Sequence, residues 1–165
     1  MASTYEPIAT TTLGSPAASY TFSSISGSYT DLVLIATGTN SVGASINLTF
    51  NSDTASNYSV TILSGDGNSA QSARYSNQTY IRSTYNEGWS SGAGNIGNII
   101  FNIQNYSNTT SFKTALMRAN KAAGGTGATV GLWRSTSAIN AVTLTAGSGS
   151  LQTGCTFTLY GILAA

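Results

Sequence analysis

With histidine absent, the acidic groups and thiol that this chain offers for acid, base or nucleophilic work are Cys155 and five carboxylates: Glu6, Asp31, Asp53, Asp66 and Glu87. Lack of histidine removes the commonest general base, the commonest metal ligand and any Ser-His-Asp arrangement together. A structural zinc site cannot be assembled from one cysteine and no histidine in a single chain. Glycoside hydrolysis needs two carboxylates facing each other at about 5 to 10 Å, yet each carboxylate here has a plainer reading. Asp66 sits in the turn signal "GDGN", Asp53 in the loop "NSDTAS", and Asp31 opens an apolar run after Tyr29. Glu6 precedes Pro7, and Glu87 lies in "YNEGW". The segments "FNSDTASN" and "SGDGNS" offer oxygen donors to a hard cation, but neither has EF-hand spacing, and Asx turns use the same residues. The glycine-rich "GDGNSAQ" and "AGGTGATVG" lack the Gly-Lys-Ser/Thr ending of a phosphate cradle. The expectation is a protein that is not an enzyme, with no catalytic residue, no cofactor and no metal.

Binding is the chemistry that remains. The stretch "YSNQTYIRSTYNEGW" at 75–89 gathers Tyr75, Tyr80, Tyr85, Trp89 and Arg82, with Arg74 just before it. Tyr, Trp and Arg are the residue types enriched at binding hot spots, because they combine large rigid area with a polar tip. These five are the candidate interface or binding residues. The competing reading is that the tyrosines fill the inner face of a sheet and Trp89 pins the following loop.

The elements that must position them are strands. "ASINLTFN" puts Ala44, Ile46, Leu48 and Phe50 on one face, and "NYSVTIL" repeats the alternation with Tyr58, Val60 and Ile62, so the two read as a hairpin around Asp53. "SYTFSSI", "TDLVLIATG", "QTYIRST", "NIIFNIQN", "SFKTALMRA", "ATVGLWR", "AVTLTA" and "CTFTLYGI" follow as strands, with residues 1–10 an N-terminal strand or arm. Only 111–121 could be a helix. Turn signals fall at 64–69, 90–97, 122–128 and 146–150. About ten short strands predict an all-β, single-domain, two-sheet antiparallel sandwich over 1–165, jelly-roll-like in character, since one open sheet of that size would leave an apolar face wet.

Charged residues make up 7% of the chain and the net charge is +1, with no two basic residues adjacent. Phosphate neutralisation requires a basic stripe, so no nucleic-acid partner is expected. No segment approaches the length of a membrane span, and the N-terminus lacks the basic and apolar regions of a secretion signal. Cys155, in an alternating apolar run, reads as a small buried hydrophobe. With two lysines and two prolines, the sheet edges are poorly defended, and partner subunits are expected to cover them.

The segments "TYEPIATTTLGSPAASYTFSSISGSYTDLVLIATG" at 4–38, "FNSDTASNYS", "VGLWRSTSAINAVTLTAGSG" and "TFTLYGI" at 156–162 occur in order along nearly the whole chain. As a set they resemble small virion proteins of tailed phages, notably those infecting cyanobacteria. That resemblance implies a β-sandwich or jelly-roll module on the particle surface, commonly trimeric, acting as capsid cement or decoration or as a fibre tip. It carries no catalytic motif and defines no binding residues. Such a protein is made in the host cytoplasm without a signal peptide and released by lysis. The first strand begins within about ten residues, a span short for a fibre anchor and shaft. The preferred expectation is therefore a decoration protein whose partners are the major capsid protein and its own copies in a homotrimer. The alternative is a fibre head domain that binds a host-surface glycan or receptor.

Overall fold

The computed structural model describes residues 4–84, 89, 91, 95–121 and 124–163. Among these residues there are twelve strands and no helix: β1 (Tyr5–Thr12), β2 (Ser19–Phe22), β3 (Asp31–Gly38), β4 (Ile46–Phe50), β5 (Tyr58–Gly65), β6 (Ala70–Gln78), β7 (Ile81–Arg82), β8 (Gly97–Gln104), β9 (Lys113–Lys121), β10 (Gly125–Trp133), β11 (Val142–Ala146) and β12 (Thr156–Ile162). They form two antiparallel sheets, one of eight strands in the order β1-β12-β3-β8-β9-β10-β5-β6 and one of four in the order β2-β11-β4-β7. The predicted all-β sandwich is thus present, with the strands divided unequally.

Alternation explains most of the large sheet. β8 buries Ile99, Phe101 and Ile103 on one face, and β12 buries Phe157 and Leu159 on the same side. β3, whose centre is continuously apolar, lies between β12 and β8 and buries Leu32, Val33 and Leu34 in succession. Phe157 joins the layers, with its ring stacked on Tyr20 of β2 at 5.4 Å and on Trp89 at 6.0 Å. Cys155 is buried, its thiol donating to the Thr39 carbonyl, and burial pushes its pKa up. It sits there as a small core residue.

Three local expectations are corrected. Strands β4 and β5 do not form a hairpin: β4 pairs with β11 and β7 in the small sheet, while β5 pairs with β10 and β6 in the large one. Both strands bury one face, and that requirement is met equally by pairing side by side or by facing each other across a core. The arch between them is held by side chains. Asn51 and Ser52 take positive φ, and the Tyr58 hydroxyl accepts from the Phe50 amide and donates to the Asp53 carbonyl. Burial pushes that hydroxyl's pKa up to about 12. The segment 111–121 is not a helix, since β9 runs through it with Lys113, Ala115, Met117 and Ala119 all inward. Lastly, β6 spans 70–78, mostly upstream of the predicted "QTYIRST" strand, which contributes only the short β7.

The arch yields a pH prediction. Partial burial raises the Asp53 pKa, but donors on Asn57, Trp133 and Ala55 outweigh it and hold the carboxyl below its ordinary 3.8. The Trp133 indole nitrogen donates to it at 2.7 Å. A lowered folded pKa means that this stabilisation is complete above 3.8 and is lost as pH falls through the folded value. Melting curves between about pH 4 and pH 2 should fall more steeply for the native chain than for Asp53→Asn. Parallel curves would show that the arch does not depend on the charge.

Candidate functional site

The small sheet ends at β7, which lies over β10 and β5. Beyond it, among the described residues, no strand of the small sheet pairs on to cover the inner side of β6. On β5 the inward residues are Val60, Ile62 and Ser64, and their partners across the ladder, Tyr75, Ala73 and Gln71, share that face. The result is an open groove. One part, about 280 Å³, is lined by Ile62, Ser64, Gln71, Ser72, Ala73 and Tyr75. A smaller part, about 80 Å³, is lined by Val60, Tyr75, Gln78, Tyr80 and Arg82. Tyr75 is common to both and stacks on no other described ring. Ser64 is 8% exposed, and its hydroxyl has no hydrogen-bond partner.

Three of the sequence-predicted residues therefore come together: Tyr75, Tyr80 and Arg82, each half-buried. Trp89 does not join them. It is 1% exposed and packed in the core, and a Cβ on Gly97 would lie 2.5 Å from its ring. Trp89 is therefore a core residue and not part of an exposed aromatic cluster. Tyr85 lies outside the described residues. Arg74, opposite Thr61, belongs to the other face of the sheet and does not stand beside the groove tyrosines. β7 itself is clamped by Ile81, which is fully buried, and by Ser83, whose hydroxyl accepts from the Ile46 amide while its carbonyl accepts from Thr129.

A second surface escaped the sequence reading. On the outer face of the large sheet, Leu63 is 59%, Val130 49% and Leu116 41% exposed. Leu116 pairs directly with Val130, and Leu63 with Ala128. One row further, Ile100 pairs with Ile35, both half-buried. These side chains form an apolar band across β3, β8, β9, β10 and β5, interrupted by Arg118 and Asn102. A signal existed: Ile62-Leu63 and Leu116-Met117 are adjacent apolar pairs, which strict alternation cannot place on one face.

No protein-family model and no curated protein matches the chain. Among solved structures, it is similar to an exo-inulinase from Aspergillus awamori at TM-score 0.46 and 10% identity, over 96% of this chain and 29% of that one. An alginate lyase aligns at TM-score 0.39 and 10% identity over 94% and 81% of the two chains. Domains LG4-5 of the mouse laminin alpha1 chain align at TM-score 0.38 and 14% identity over 93% and 41%. The chain thus spans less than a third of the inulinase it matches.

The described carboxylates are occupied in turns and strand ends. Asp66 accepts from the amides of Asn68 and Ser69, both at 2.8 Å, and these bonds hold its pKa below the ordinary value. Asp31 accepts from the Asn105 amide at 2.6 Å. Asp53 serves the arch, Glu6 lies on the edge strand β1, and Glu87 is outside the described residues. Among the described residues, no three His, Cys, Asp or Glu side chains gather as a metal site would require, and no helix is long and apolar enough to cross a membrane.

Proposed function

We propose that this chain is a structural protein of a phage virion, a cement or decoration protein that binds the assembled capsid shell as an oligomer, with the major capsid protein and its own copies as partners. The observation that supports this reading best is the apolar outer face of the large sheet. Charged residues are scarce, and three large apolar side chains stand together in solvent on a broad, regular surface. Exposed apolar patches of this kind mark contact surfaces. Five strands of eight or nine residues give a face of about 650 Å², within the range that each partner contributes to a specific interface, about 600 to 1,000 Å².

Near-zero net charge favours contact by fit and apolar burial over long-range steering. The mechanism is mechanical: a protein that binds only the assembled shell adds interface energy that must be lost before the shell expands or ruptures. A cryo-electron-microscopy map of the intact particle tests the assignment. Density for this chain at local three-fold positions of the capsid is the expected result, and density at the tail or at a fibre end overturns it. That second location is the alternative reading, a fibre head domain, and the groove beside β6 is the feature that favours it.

A further inference from the structure

We infer that the groove beside β6 is a binding site for a single pyranose ring of a glycan. A pyranose offers a C–H face and a set of hydroxyls that each donate and accept. The groove supplies the complement of both. Tyr75 forms a wall common to its two parts, with Tyr80 beside it, and aromatic rings are large rigid surfaces against which a C–H face packs. Gln71, Gln78 and the Ser64 hydroxyl can donate and accept, and Arg82 donates. Among the described residues, no carboxylate lines either part.

Ser64 points most directly to a ligand. Its hydroxyl is buried with no partner, as are the Thr84 hydroxyl and the Trp89 indole nitrogen, and of these three groups only Ser64 belongs to a residue lining the groove. The oxygen is shut off from solvent in the free protein, and a turn of the Ser64 side chain about χ1 toward the groove would let a sugar hydroxyl supply the missing bond. The size of the larger part, about 280 Å³, lies just below the range of about 300–1,000 Å³ for drug-sized ligands, so it fits one ring and not a chain of them. An extended peptide is a poorer match, because it would recognise an edge strand by backbone pairing along β6 and would leave Ser64 unsatisfied. The inference holds whether a particle carries the chain on its shell or on a fibre, so it and the capsid assignment fail separately.

Saturation-transfer NMR on the full chain, with the methyl glycosides of glucose, galactose and mannose as probes, tests it. At least one glycoside should receive saturation at its ring protons. Tyr75→Leu, which keeps apolar bulk but removes the ring, should weaken that glycoside's binding about fivefold to tenfold. Ser64→Ala should weaken it about threefold to fivefold without lowering the melting temperature, since the hydroxyl has nothing to lose in the free protein. A purely structural Ser64 would shift the melting temperature and leave affinity alone. If Tyr75→Leu does not fold, Ser64→Ala decides. Absence of transfer to all three glycosides, equal affinity in the variants, or binding of an extended peptide in their place would each overturn the site.

Discussion

Lysine at both Val130 and Leu116 is expected to convert the proposed trimer into a monomer while leaving the fold intact. In solution the native chain should scatter light with three times its 16.9 kDa mass, and the double variant with one. The two side chains are direct cross-strand partners on β10 and β9, about half exposed in the isolated chain. Each side chain is still about half covered by its neighbours in the single chain, but a lysine keeps that contact with its apolar stem and leaves the ammonium in water, so the loss of stability should stay at about 1 kcal/mol. In the assembly, the same substitutions place unpaired charges in an apolar contact. A cost of at least about 4 kcal/mol per contact, roughly a thousandfold in association, follows. Each copy carries both changes, so every interface is affected. A native chain that stays monomeric across micromolar concentrations would remove the self-contact reading of this face. An oligomer that survives both lysines would place the contact elsewhere, with the edges at β1 and β6 next to be tested.

How much of this could be read from the sequence depended on whether a residue's neighbours decide its role. Ile99, Phe101 and Ile103 alternate in a way only a one-sided strand satisfies, and the structure buries all three on one face. β9 alternates too, with Lys113 among its inward residues, where the ammonium donates to the carbonyls of Ser111 and Thr136. A buried lysine breaks the apolar period and made the helix reading admissible. β6 gives no signal because "AQSARYSNQ" is mostly polar and Tyr75 is its only large apolar residue, so its strand state comes from pairing with β5. The groove was half legible. Tyr75, Tyr80 and Arg82 could be named from residue type, but Trp89 could not be told from them, since the same ring serves a core or a surface. Ser64 was invisible, because an unpartnered hydroxyl is a property of the folded surroundings and not of a serine in a turn signal.

A large loss of stability from adding atoms is expected at Gly131. Along β10 before Trp133 the usual alternation is inverted: Val130 and Leu132 face outward, while Gly127, Thr129 and Gly131 hold the inward positions. That small inner face lets β7 lie close. A Cβ at Gly131 would come within 2.4 Å of the Ile81 Cγ2, 2.7 Å of its Cδ1 and 2.9 Å of its Cγ1. Ile81 is fully buried and cannot swing into solvent, so the strand carrying it has to move. Gly131→Val should therefore cost about 3 kcal/mol, the upper end for overpacking, and lower the melting temperature by about 6 to 12 °C. Gly14→Ala, at a position where an added Cβ meets nothing within 4 Å, is the control and should stay within about 0.5 kcal/mol of the native chain. Because Tyr80 and Arg82 flank Ile81, the displacement should also open the smaller part of the groove and weaken glycoside binding. Combining Gly131→Val with Ile81→Ala isolates the cause. If the clash with Ile81 is the source of the loss, the pair should be less destabilised than the two single effects added together. Simple additivity would mean that the glycine is needed for its backbone and not for the space it leaves.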